Sequence, residues 1–102
     1  MRMIVFFDLP VQTKKQRTVA TKFRKFLISD GYHMLQFSIY ARVCNGMDSV
    51  NKHKTRLYHS VPDNGQIRLL VITEKQYTSM EILTGKLTSA EKPIATEQLT
   101  LY

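Results

Sequence analysis

Met3-Ile4-Val5-Phe6-Phe7-Asp8-Leu9-Pro10 is the stretch on which the fold turns. Its five consecutive apolar residues are far short of the roughly 18 that a membrane-spanning helix needs. They read instead as a buried strand, with Met3, Val5 and Phe7 on one face and Ile4 and Phe6 on the other. Pro10 stops the strand, because it has no backbone N–H to give to a ladder. Asp8 sits at the strand's C-terminal end, where packing explains a charge poorly: a carboxylate beside apolar residues is costly unless something pairs with it. It has two readings, as a ligand for a metal ion near phosphate or as a cap of the following turn.

Outward from this strand the chain becomes cationic. Leu9 to Ser29 holds six basic side chains, Lys14, Lys15, Arg17, Lys22, Arg24 and Lys25, and no acid. Thr13 with Gln16 forms a capping box, so a helix runs from Lys14 to about Ser29. Val19, Phe23, Phe26 and Leu27 form its core stripe, and Asp30-Gly31 is its stop. His33 to Val43 alternates with period two and reads as one strand. Leu35, Phe37, Ile39, Ala41 and Val43 share one face of it; Gln36, Ser38, Tyr40 and Arg42 share the other. Asn45 caps a second helix, Met47 to Ser60, whose apolar face is Met47, Val50, Leu57, Tyr58 and Val61. Pro62-Asp63-Asn64-Gly65 is a turn. A strand follows over Gln66 to Thr73, then a turn or single helical turn over Glu74 to Thr78. Met80 to Thr84 is a weak strand, Ala90 to Glu97 a loop, and Gln98 to Tyr102 a last short strand or a tail.

Strand, helix, strand, helix, strand is the order of a parallel α/β domain. A ferredoxin-like plan needs the second and third strands to be antiparallel neighbours, with the second helix after both. The residues alone leave the two open. In either case a sheet with two helices on one face has a second face to cover. Apolar residues of the first and third strands point there, and a symmetric dimer packed sheet on sheet would bury them.

Composition narrows the class of function. The 102 residues suit one domain, residues 1–102, with 86–102 as a C-terminal extension. The chain is 43% hydrophobic and 23% charged, an ordinary balance for a folded protein. Neither a membrane span nor a signal peptide is expected, and the single cysteine, Cys44, allows no internal disulfide; both suit a cytoplasmic protein. Net charge is +7, and residues 1–60 hold eleven basic residues against three acidic. A cationic half of this kind is an electrostatic footprint for nucleic acid. Lys14, Lys15, Arg17, Arg24, Lys25 and Arg42 are the candidate phosphate contacts, with Gln36, Ser38 and Tyr40 as a dimer or substrate face. His33, His53 and His59 lack zinc-like spacing with Cys44, and no P-loop or dinucleotide fingerprint is present.

Two segments carry a resemblance. Val5-Phe6-Phe7-Asp8-Leu9-Pro10 resembles the first-strand motif of the small CRISPR-associated endonuclease family of the spacer-acquisition module. Gly31-Tyr32-His33-Met34-Leu35-Gln36-Phe37-Ser38-Ile39-Tyr40 resembles its second signature, and Arg17 falls where the family places a basic residue in the first helix. The resemblance implies an α+β ferredoxin-like sandwich with a four- to five-stranded sheet, and a sheet-to-sheet homodimer. It also implies Mg2+ or Mn2+ held between two copies of Asp8, metal-dependent cleavage of RNA or DNA, and a complex with the larger CRISPR-associated integrase. Phe7 departs from the family, many members of which carry tyrosine there. Two further functions stand beside the nuclease: a non-catalytic DNA scaffold, and a toxin-like ribonuclease of related fold.

Overall fold

A computed structural model of the chain describes residues 1–85. The predicted loop at 90–97, the last strand at 98–102 and the extension from residue 86 lie outside the described residues. The elements are β1 (Arg2–Asp8), α1 (Lys14–Ser29), β2 (His33–Gln36), β3 (Ile39–Val43), α2 (Met47–Tyr58), β4 (Gln66–Ile72) and α3 (Glu74–Thr78). One four-stranded sheet has the order β2-β3-β1-β4, and every neighbouring pair is antiparallel. This is the ferredoxin-like plan, and it overturns the parallel α/β alternative.

The reason lies in His33–Val43, which is not one strand. Ser38 adopts a left-handed backbone with φ 67°, and the chain reverses there. The two halves then pair with each other, His33 opposite Ala41 and Met34 opposite Tyr40, with an irregularity before Gln36. Period-two alternation persists through such a tight turn, so the pattern conceals the break. Once the run is a hairpin, a helix between it and β4 conflicts with nothing.

β1 occupies the middle of the sheet, paired with β3 and β4, as its two apolar faces require. On one face Met3, Val5 and Phe7 pack with Ala20, Phe23 and Leu27 of α1 and with Val50 and Leu57 of α2. The ring of Phe7 meets Phe23 edge-on at 5.2 Å. Each such fully buried large side chain stabilises the fold by about 1.5–3 kcal/mol. Ala20 takes the core position expected of Val19, which is exposed. In α2, His53 is buried, whereas the expected core residues Met47 and Tyr58 are exposed, as is Val61, which lies beyond the end of the helix.

Local chemistry sets the ends of α1. The Gln16 amide donates to Thr13 Oγ1 at 3.1 Å, and the Thr13 amide donates to Gln16 Oε1 at 3.0 Å. At the other end Tyr32 N–H donates to Leu27 O and Gly31 N–H to Ile28 O, with Gly31 at φ 93°. This is the paired closure that glycine after a helix permits. The cap of α2 is Gly46 rather than Asn45, and no side chain bonds to it. Met80–Thr84 runs on from α3 without forming a strand.

The second sheet face is only partly covered. Tyr77 of α3 packs on Ile4 and Ala41, flanked by Leu35, Ile39 and Ile72. Glu74 and Arg2 hold α3 to the start of β1 through two hydrogen bonds of 2.8 and 2.9 Å, and the Arg2 guanidinium lies 4.1 Å from the Tyr77 ring centroid. Phe6 and Leu70 remain exposed on this face. A groove of about 680 Å³ runs between the sheet and residues 80–85.

Candidate active site

Asp8 is the last residue of β1 and is exposed. Strand alternation places its side chain on the partly open face with Ile4 and Phe6, away from α1. Its place is set from two sides. Asp8 pairs with Gln66 of β4, and the preceding Gly65 has φ 90°, where a Cβ would stand 2.5 Å from Asp8 O and 2.8 Å from Leu9 Cδ2. The β2–β3 turn closes the other side: Phe7 N–H donates to Ser38 O at 2.9 Å. Together these build a shallow cleft of about 330 Å³, lined by Phe6, Phe7, Asp8, Phe37, Ser38, Ile39, Gln66 and Arg68. Its polar chemistry is one carboxylate, one hydroxyl, one amide and one guanidinium.

Of the residues singled out in the sequence, Ser38 joins Asp8 in this cleft. Gln36 lines the adjoining apolar groove. Tyr40 lies on the opposite sheet face, 4% exposed and 5.6 Å from the Phe7 ring, so it belongs to the core and not to the open face. Arg42 is on that opposite face too, bonded to the backbone oxygen of Asp30 and 3.0 Å from His53 Nδ1. Asp30 caps α1, where the helix dipole disfavours an anion. His53 Nδ1 at 2.9 Å and Arg56 Nη1 at 2.9 Å hold its carboxylate, so Arg42 serves a structural cluster. Beside this cluster Tyr32 is held neutral: burial, then the Asp30 charge, push its pKa up from 10.0 to about 12.

The basic residues of α1 stand on the far side of the sheet from Asp8. Lys14, Arg17, Lys22 and Lys25, with Thr18 and Thr21, line an open groove of about 380 Å³. Lys15 is exposed outside that groove, and the Arg24 guanidinium lies 5.7 Å from the Phe7 ring centroid. Arg17 also donates to Val11 O and Gln12 O, which secures the loop before the helix. Carboxylate and cationic helix, neighbours in sequence, are therefore not one site within a protomer.

Arg68, Gln66 and Phe37 are cleft residues that sequence reasoning missed. The first two were legible, since Gln66, Arg68 and Leu70 alternate on one face of β4. Phe37 was hidden by the same hairpin turn that hid the topology. Among the described residues no three of His, Cys, Asp and Glu come together as a metal cluster.

Comparisons with known proteins bear on the family and the fold. The family model described as "CRISPR associated protein Cas2" matches residues 1–80. The chain belongs to the Cas2 family. A Cas2 of Acidovorax ebreus (strain TPSY), named CRISPR-associated endoribonuclease Cas2, is 48% identical over 102 residues and spans all of both chains. One of the same name from Campylobacter jejuni is 42% identical over 102 residues, covering 100% of this chain and 71% of its own. The crystal structure of Streptococcus pyogenes Cas2 at pH 6.5 superposes with TM-score 0.62 over 82% of this chain and 100% of that one. At 20% identity that likeness concerns the fold alone, and the fold is the Cas2 ferredoxin-like one.

Proposed function

We propose that this CRISPR protein is a metal-dependent endonuclease of the cytoplasm that cuts nucleic acid through Asp8, in a homodimer built on its open sheet face. The observation that carries this is the Asp8 carboxylate, exposed in a cleft beside Arg68 and Ser38 and continuous with exposed apolar sheet surface. The names of the relatives, endoribonucleases, make RNA the first substrate to test.

A hard divalent ion takes about six oxygen ligands, and among the described residues one protomer brings a single carboxylate to the cleft. The donors present thus fit half of a site. Two copies of Asp8, related by a dimer axis, would hold Mg2+ or Mn2+ with water completing the shell. When bound, such an ion lowers the pKa of its water and offsets phosphate charge. Arg68 adds a fixed positive charge for a phosphate at the cleft, and Gly65 and Ser38 O hold the end of β1 in place.

The deciding experiment is Asp8→Ala, assayed on RNA and DNA with Mg2+ and Mn2+. Cleavage is expected to disappear while the fold persists. Wild-type cleavage by the variant would falsify the assignment. A second reading, a non-catalytic subunit that grips duplex DNA beside the larger integrase, is favoured by the cationic groove of α1 facing away from the cleft. It expects Asp8→Ala to leave DNA binding intact. Lys22→Glu with Lys25→Glu should weaken that binding and flatten its salt dependence.

A further inference from the structure

Two Asn-Gly pairs interrupt the chain, Asn45-Gly46 before α2 and Asn64-Gly65 before β4. Asparagine is chemically labile, most of all before glycine, where no side chain hinders attack by the next backbone nitrogen. All four residues are exposed and lie outside helix and strand. Among the described residues, neither asparagine side chain and neither glycine N–H has a hydrogen-bond partner. The surroundings of the two pairs differ. A Cβ on Gly46 would meet nothing within 4 Å. That pair follows Val43, the partner of Arg2, so it lies at the opposite end of β1 from Asp8. Gly65 is wedged against the end of β1, where a Cβ would stand 2.5 Å from Asp8 O and 3.2 Å from Leu9 Cα. The next residue, Gln66, pairs with Asp8 and lines the cleft. A covalent change at residue 64 therefore finds no slack on the β1 side.

We propose that Asn64-Gly65 is a spontaneous modification site, and that its conversion disables the end of β1 as the protein ages. Base removes the Gly65 amide proton, and the nitrogen attacks Cγ of Asn64. The N–Cγ bond forms, the Cγ–Nδ2 bond breaks, and the side-chain nitrogen leaves with a proton as ammonia. Water then adds to one carbonyl of the succinimide and breaks its bond to nitrogen, which gives aspartate or isoaspartate. No oxidant or cofactor takes part. Both products put a carboxylate beside Asp63, on the turn that leads into the cleft, where it opposes an approaching phosphate. Isoaspartate also routes the chain through the former side chain. It adds one backbone atom directly before Gly65, and the wedged glycine passes the displacement to the Asp8–Gln66 pair. The modification is independent of the nuclease reading of Asp8; the loss of cleavage rests on it.

The test is to age the full-length protein at neutral and at mildly alkaline pH. Peptide mapping by mass spectrometry, with an isoaspartate-specific methyl-acceptance assay, then locates the products. Residue 64 is expected to convert, faster at the higher pH, and the isoaspartate form to lose at least about 4 °C in Tm. Cleavage falls in proportion to conversion at residue 64. Asn64→Ser keeps its Tm and its cleavage on ageing, whereas Asn45→Ser does not. Fresh Asn64→Asp adds the charge without the extra backbone atom. It keeps its Tm and raises KM by roughly 2- to 5-fold, an effect that fades at high salt. A residue 64 that stays asparagine while the same bond in the urea-unfolded chain converts overturns the proposal. So does an isoaspartate form with the Tm of fresh protein. If fresh protein cleaves nothing, the nuclease reading fails alone, and mapping with Tm still decides the modification.

Discussion

Gly65→Ala tests whether the end of β1 is held where the cleft needs it. Gly65 has φ 90°, a backbone that L side chains rarely adopt, and this alone costs about 1–3 kcal/mol. A Cβ there would also meet Asp8 O at 2.5 Å and Leu9 Cα at 3.2 Å. Both are backbone atoms next to a central strand, so relief requires moving the residue that carries the carboxylate. Gly46 is an internal control: its φ is 86°, yet a Cβ meets nothing within 4 Å. Gly46→Ala should therefore show the backbone cost alone, and Gly65→Ala that cost plus the overlap. For a domain of this size each kcal/mol lowers Tm by about 4–8 °C. Thermal unfolding followed by circular dichroism should place Gly65→Ala at least about 4 °C below Gly46→Ala. Gly65→Ala should also lose nuclease activity at temperatures where it is still folded. Equal Tm values for the two variants, with activity retained, would refute the claim that Gly65 positions Asp8.

Asp30→Asn should cost about 3 kcal/mol, measured by urea unfolding, because it removes the buried carboxylate on which His53 and Arg56 converge and leaves the Arg56 guanidinium without its partner. Bonding to Arg2 holds the Glu74 carboxyl below its ordinary pKa of 4.5. Its stabilising effect is therefore complete above that value and fades as the pH falls through the lower folded value. Hydrogen exchange should show α3 loosening at acid pH in wild type, with the pH dependence absent in Glu74→Gln. At the alkaline end, Tyr32 must ionise near 10.0 in the unfolded chain and near 12 in the folded one, so stability is full below pH 10.0 and lost towards 12. Tyr32→Phe should flatten that loss in denaturant titrations across the same window.

The local elements were legible because each rests on short-range chemistry. The Thr13–Gln16 box and the Asp30-Gly31 stop are contacts within a few residues, and both appear as read. The two-faced apolar run of Met3–Phe7 likewise announced a buried strand, and the structure makes it the central one. The hairpin was not legible, since Phe37-Ser38 lacks the Asn or Gly that marks a turn, and alternation runs through it unbroken. His53 in the core was equally opaque: helical spacing measures apolarity, and its burial depends on Asp30, 23 residues away.

By itself, the order of residues determined which segments are strand or helix outside the β2–β3 hairpin and residues 80–84, and the cationic character of α1, because these follow from periodicity, caps and charge. Only tertiary structure decided which side of the sheet each side chain faces. Pairing register put Asp8 with Ser38, Phe37 and Arg68, sent Tyr40 and Arg42 to the helical side, and left the basic helix behind the sheet. A strand turns alternate side chains to opposite faces, so one reversal at Ser38 redistributes every partner, and no window of sequence contains that information.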